Sequence, residues 1–268
     1  MKVSKADIKY FRSLSQKKVR QAERKFILEG WRALKEVLNS SSKVETVAVL
    51  PRYLQDPDYE SILAKLGERG ASIKEVTEIE LNQVADTVHA QGVLAVVHQK
   101  ASSLDSVRLG QSAVVVAADA VSDPGNLGSI IRSSDWFDVD MVLLGRGCVE
   151  LYNEKVVRST VGSLFHVPIV EGVALTEALA AMKKKEFSIV AFSGDGKQSY
   201  TGLEQSSRTV YVLGSEAHGV SREVRNVADV IVQIPKYGKA ESLNVGVACG
   251  IVLAHIRAEQ ERRKGDKS

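Results

Sequence analysis

Six consecutive apolar residues, 113–118 (AVVVAA), limit the folds open to this chain more than any other stretch. A strand with one wet face alternates polar and apolar side chains, and this run has no polar side at all. It belongs in the interior of a parallel sheet with helices on both faces. The following segments can supply such a sheet. Strands are expected at 139–144, 164–170, 188–192 and 209–213, with helices at 153–161, carrying Lys155 and Arg158, and at 175–182 between them. A further helix is expected after residue 124, where Ile130, Ile131, Trp136 and Phe137 form an apolar side. Strands alternating with helices in this way define an α/β domain.

The first hundred residues repeat the pattern on a smaller scale. A strand at 26–30 ends in Gly30, and Trp31, Leu34, Val37 and Leu38 mark a helix. A strand at 44–50 is closed by Pro51, and Ile62, Leu63 and Leu66 mark a helix that stops at Gly67 and Gly70. Strands at 71–76 and 93–98 flank a polar helix at 77–84. Residues 100–112 (KASSLDSVRLGQS) are polar, Ser-rich and aperiodic, as a linker is. The expected domains are therefore 1–99 and 113–268, joined by 100–112.

Charge is unevenly distributed. The net charge is +3, but the first 25 residues carry nine Lys and Arg against Asp7 and Glu23, with Tyr10 and Phe11 interleaved. Such an arm suits a phosphate backbone, and a solvated amphipathic helix would read the same way. No apolar run approaches the roughly 20 residues that span a bilayer. Met1–Ser4 leads into charged residues rather than a signal-peptide core, so a cytoplasmic protein without membrane contact is expected. Cys148 and Cys249 lack metal-ligand spacing and the five histidines are scattered, so no metal is expected.

Three strand–loop–helix junctions concentrate polar groups: 119–132, 213–219 and 234–244. Ligands of open α/β sheets bind at such C-terminal strand ends. The first has a turn at Asp123-Pro124-Gly125, Asn126 at the helix mouth and Arg132 six residues on. The second follows Leu213 with Gly214, Ser215, Glu216, His218 and Gly219, where His218 reads as a loop histidine. The third runs from Ile234 to Ser242-Leu243-Asn244, and Ser242 stands where an N-cap hydroxyl would. Taken singly, each has a structural alternative: a surface arginine, a glycine turn, a capped helix. Their polar groups converge if the three strands are neighbours. No GxxxxGK[ST], GxGxxG or GxSxG pattern is present, which argues against P-loop, dinucleotide-binding and hydrolase chemistry.

DPGNLGSIIRSSDWF, VLGSEAHGVS and IPKYGKAESLNVGVA, in this order, resemble the three motifs of the SpoU (TrmH-like) RNA 2′-O-methyltransferases. RKFILEGWRALKEVL and QGVLAVV are similar, less specifically, to that family's N-terminal substrate-binding domain. The resemblance implies a small L30e-like α/β domain followed by a SPOUT domain whose sheet ends in a deep trefoil knot. It implies S-adenosylmethionine as cofactor, held around Leu213, Gly214, Gly219, Ile234, Leu243 and Asn244. It implies catalytic roles for Asn126, Arg132, Glu216, Ser242 and Asn244, an RNA substrate, and a homodimer with active sites near the interface.

Transfer of a methyl group to a ribose hydroxyl is mainly a positioning task, coupled to loss of a weakly acidic proton. Backbone groups can grip the cofactor without adding charge, and Asn126, Ser242 and Asn244 can orient Arg132 and the ribose. A guanidinium stays charged, so the expected task of Arg132 is to hold the 3′ phosphate and stabilise the developing alkoxide. Glu216 is expected to bridge to Asn126 or Arg132. Ribosomal RNA is the favoured substrate by analogy with relatives carrying a separate N-terminal domain. The alternatives are a tRNA methyltransferase, or a non-catalytic RNA-binding ribosome-assembly factor on the same fold.

Overall fold

The computed structural model describes residues 1–85, 91–203 and 206–265. They form two compact units, one of residues 1–101 with 151–166, the other of 102–150 with the chain from 167 onward.

The first unit opens with α1 (Lys5–Ser13) and α2 (Lys17–Glu23). These helices are not a detached arm. Val3, Ile8, Phe11 and Leu14 are buried together with Ile27, Leu50 and Leu94. Buried Arg20 donates to the carbonyls of Leu14 and Ser15 at 2.9 and 2.6 Å, and Lys25 pairs with Glu45 at 2.6 Å. Two of the nine N-terminal cations thus serve the fold itself. β1 (Lys25–Glu29), α3 (Trp31–Leu38), β2 (Val44–Val49), α4 (Pro57–Glu68), β3 (Ser72–Glu75), α5 (Glu78–Asn82) and β4 (Val93–His98) follow. The sheet order is β1-β4-β2-β3, with β4 antiparallel to both neighbours and β3 parallel to β2.

The second unit begins with β5 (Ala113–Asp119), buried at every residue, then α6 (Pro124–Trp136) and β6 (Met141–Gly145). The chain next forms α7 (Glu154–Thr160), which packs on β1 in the first unit. Sequence reading places residues 151–166 in the second domain, but their aromatic rings anchor them elsewhere. Tyr152 lies 4.7 Å and Phe165 6.4 Å from the ring of Phe26, and the Tyr152 hydroxyl bridges both peptide groups of Lys100. The strand expected at 164–170 starts only at Ile169; Ser163–Phe165 is a 3-10 turn, and Pro168 offers no N–H to a ladder.

β7 (Ile169–Val173), α8 (Leu175–Lys184), β8 (Ser188–Phe192), β9 (Gln198–Ser199), β10 (Arg208–Gly214), α9 (Arg222–Val227), β11 (Val230–Gln233) and α10 (Val245–Gly265) complete the unit. All seven strands are parallel, in the order β7-β6-β5-β10-β8-β11-β9. Their C-terminal ends therefore share one edge. β5 and β10 are neighbours, but β8 separates β10 from β11, so the three junctions do not follow adjacent strands.

Ser242 is not the cap of the last helix. Asn244 takes that place, its Oδ1 accepting from the N–H groups of Gly246 and Val247 at 2.9 and 3.1 Å. Asn caps as well as Ser, and here it sits one residue before the helix while Ser242 remains exposed. α10 packs along α6 through small residues: a Cβ on Gly246 would stand 2.9 Å from that of Ser129. Further along, Arg257 donates to the Phe137 carbonyl at 2.6 Å. α10 stays helical through its charged end to Gly265, and residues 266–268 lie outside the described residues. Among the described residues, no helix is long and apolar enough to cross a membrane, and no group of three His, Cys, Asp or Glu side chains could hold a metal ion.

Candidate active site

Loop 214–221 is shaped by glycine and by one buried acid. Ser215 and Gly219 exchange both backbone hydrogen bonds, at 3.0 and 2.9 Å, while the Ser215 hydroxyl accepts from the His218 N–H at 3.1 Å. Gly219 takes a left-handed φ of 65°, which closes the turn. Any Cβ on Gly214 would overlap the peptide joining Gly219 to Val220. Asp119, 8% exposed at the end of β5, accepts from the Ser221 N–H at 2.7 Å and straps the loop to the sheet. The sequence reading missed this role; an acid directly after six apolar residues was the available signal.

The tight turn presents Glu216 to the start of α6. Its carboxylate accepts from the Asn126 amide at 2.7 Å and from the N–H groups of Ser122 and Asp123 at 3.3 and 3.4 Å. Asp123 in turn caps α6, accepting from the Asn126 N–H at 2.8 Å. The Asn126 Oδ1 accepts from the Asn244 amide at 2.7 Å. Both ends dictate the polarity of this relay. Helix N–H groups can only donate, so they turn the Asn244 oxygen toward α10 and its NH₂ toward Asn126. Glu216 can only accept when ionised, so it takes the NH₂ of Asn126. The third loop reaches the relay because residues 234–244 have length to spare: three strand spacings from β11 to β5 amount to about 14 Å.

Burial pushes the Glu216 carboxyl up, but the Asn126 amide and the peptide N–H groups of Glu216 itself, Ser122 and Asp123 outweigh it, leaving the pKa below the usual carboxylate value. A lowered folded-state value means the stabilising contribution is complete above the unfolded pKa and lost only as pH falls through the lowered one. We expect the Asn126 side-chain amide resonance, followed by NMR, to hold its position through the ordinary carboxylate range. A midpoint at or above that range would contradict the relay.

The remaining candidates sit differently. Leu213 and Gly214 are buried at the end of β10, Ile234 is half-buried just past β11, and Leu243 is half-exposed. Ser242 is exposed. Arg132 is exposed on α6 and, among the described residues, makes no hydrogen bond or ion pair. Of the two partners expected for Glu216, the geometry brings Asn126 and not Arg132. A second clamp lies outside the three polar junctions. Arg225 holds Asp195 through two contacts of 2.9 Å and Ser193 at 2.8 Å, and Arg225 and Ser193 keep the Asp195 carboxyl at about 2. That loop lies on the end of β11, where the Ser193 N–H donates to Val232 at 2.9 Å, directly before Ile234.

Residues 113–254 match the model of the SpoU rRNA Methylase family, and residues 5–95 that of an MRM3-like substrate binding domain. The chain is 31% identical over 250 residues to a 23S rRNA (guanosine(2553)-2′-O)-methyltransferase, RlmP, of Bacillus subtilis, covering 93% of this chain and 95% of that protein. An AdoMet-bound rRNA methyltransferase from Sinorhizobium meliloti superposes with a TM-score of 0.87 at 29% identity, covering 97% of this chain and 98% of the other. The SpoU methyltransferase AviRb of Streptomyces viridochromogenes, in complex with AdoMet, shares the fold with a TM-score of 0.88 at 23% identity, covering 96% and 98%.

Proposed function

The chain belongs to the SpoU rRNA methylase family, and from that membership we propose that it methylates a ribose 2′-hydroxyl of ribosomal RNA, in 23S rRNA, within the cytoplasm. The observation that carries the reading is the relay Asn244–Asn126–Glu216, which ties the three motif-bearing loops into one cluster.

S-adenosylmethionine supplies a methyl carbon on a cationic sulfonium sulfur. Leu213, Gly214, Gly219, Ile234, Leu243 and Asn244 would hold it. The donor set suits such a ligand. Asp119, Asp123 and Glu216 are each engaged by N–H groups, which leaves peptide groups and apolar side chains to grip a nucleoside. Arg132 holds the phosphate 3′ to the target and stabilises the oxyanion that develops as the hydroxyl loses its proton. Asn126, Glu216 and Asn244 keep the loops in register, and Ser242 faces the substrate from the third loop.

Two further features belong to this reading. The first is a trefoil knot in the second unit, supported by β10 lying between β5 and β8 and by the backbone at Gly196 passing against that of Val232 and Gln233. An experimental structure whose chain straightens when drawn from both ends would remove it. The second is a homodimer, supported by Trp136, 83% exposed one turn beyond Arg132, and by Val247, 51% exposed on α10. A sedimentation mass of one 29.1 kDa chain would remove that.

RNA is expected to meet the first unit along α1, where Lys5, Lys9 and Arg12 fall at i, i+4 and i+7 and are all exposed. Deleting residues 1–25 would not test this cleanly, because Ile8, Phe11 and Leu14 would leave the core. Replacing the three cations by Gln should flatten the plot of log affinity against log salt by about 2–3. Cofactor affinity should stay unchanged. An unaltered salt slope would move the RNA surface elsewhere.

The deciding experiment is transfer of labelled methyl to total RNA from a strain lacking this gene, with mapping of the modified ribose. Label at one 23S position establishes the reading. Label in tRNA keeps the chemistry and overturns the substrate. No label in any RNA, with cofactor bound, overturns the enzyme and favours a non-catalytic assembly factor.

A further inference from the structure

α7 is encoded inside the stretch that matches the methylase family, yet it forms a wall of the first unit. Between it, β1 and α3 lies a cavity of about 170 Å³. Leu28 and Val157 contribute apolar walls, while Arg32, Gln91, Glu154 and Arg158 contribute hydrogen-bonding groups to the same lining. Pockets for drug-sized ligands start at roughly 300 Å³, so this one holds a single small ring system and not a whole nucleoside cofactor.

The cavity is built rather than incidental. Gln91 packs so closely over Gly30 that any Cβ there would overlap its amide oxygen. Val161, also in the lining, is held in the left-handed region at φ 52°, a conformation that is an outlier for a β-branched residue. That conformation ends α7, with the Val161 N–H donating to the Arg158 carbonyl, so the helix end fixes this side of the cavity. Glu154 and Arg158 are already engaged with other groups, which fixes their orientation, whereas Arg32 is exposed.

We propose that this cavity receives one unpaired nucleobase of the substrate RNA. Apolar walls take the ring faces, and the Arg32, Gln91 and α7 groups read its edges. Sequence-specific RNA recognition relies on unstacked bases held in this manner. Recognition of RNA is then not confined to residues 5–95: α7 belongs to the reader although its sequence lies within the catalytic stretch. The inference rests on the RNA-methyltransferase reading above.

Ala33, in the lining, permits a direct test, because Ala33→Leu fills the cavity without removing a charge or a hydrogen bond. In the full-length enzyme we expect the KM for RNA to rise at least tenfold, with kcat at saturating RNA, cofactor Kd and Tm unchanged. A loss of packing alone would lower Tm and leave the KM of the folded fraction unmoved. Arg32→Gln provides an independent variant at an exposed position and should raise KM in the same sense. If the wild-type protein methylates RNA and both variants keep its KM, the base pocket is overturned. If the wild-type protein methylates no RNA, the underlying functional reading fails instead.

Discussion

With Arg132 in its proposed role, Arg132→Ala is expected to lower kcat for methyl transfer about 10²–10³-fold, the usual loss when one stabiliser of a developing oxyanion is removed. Cofactor affinity and Tm stay where they were. The separation follows from the placement of the side chain. Arg132 is exposed on α6 and has no hydrogen bond or ion pair among the described residues, so the fold does not depend on it. It stands six residues beyond Asn126, about 9 Å along the helix, and side chains on a helix lean back toward its N-terminus. The guanidinium is therefore within reach of a ligand at the loop cluster without being held by it. Arg132→Lys keeps the charge and loses the planar fork that grips a phosphate and a second oxygen together. We expect the Lys variant to recover little of the lost rate in single-turnover assays on the mapped substrate. Near-normal turnover would reduce the role of Arg132 to net charge.

Gly214→Ala should be the most damaging single methyl group in the chain. Its Cβ has no room: the peptide between Gly219 and Val220 occupies the place. The neighbour is backbone, held by the double hydrogen bond between Ser215 and Gly219 and by the Asp119 strap, so it cannot swing aside as a flexible side chain would. Overpacking of a tight site costs about 1–3 kcal/mol in stability. The greater consequence is functional, because the turn that must open to accept the methyl is the one that presents Glu216 to Asn126 and, on the proposed function, offers the Gly214 peptide to the cofactor. Calorimetry with S-adenosylmethionine should show binding weakened at least tenfold in the folded variant. Retention of wild-type affinity would place the cofactor away from this turn.

Much of this was legible before any coordinates. The burial of 113–118 on both faces follows from an unbroken apolar run, and the 31–38 helix from its apolar spacing. The three polar junctions were visible because glycine, proline and amides gather at strand ends. Their assembly was not visible. Nothing in residues 230–244 states that β8 intervenes between β10 and β11, and the acid after six apolar residues does not say which loop it will strap, since strand order is a tertiary choice. The same limit explains residues 151–166. Their composition suits either unit, and only the meeting of Tyr152 and Phe165 with Phe26 decides. Basic residues near the start of the chain suggested a free arm because charge is conspicuous, while the apolar positions Ile8, Phe11 and Leu14, three residues apart, are few and easily overlooked. At the last helix, Ser and Asn two residues apart are both good caps, so sequence alone could not choose between Ser242 and Asn244.

The relay has a consequence for biogenesis. Its three members are separated by 90 and 118 residues of chain, and the last of them caps a helix that runs to Gly265. Contacts so distant in sequence form late, since the long loops between them must close first. On a translating ribosome, Asn126 and Glu216 emerge well before Asn244 and α10. An unfinished chain can therefore carry two of the three loops and still lack a site. Termination before Asn244 should therefore remove one member of the relay and abolish activity toward RNA.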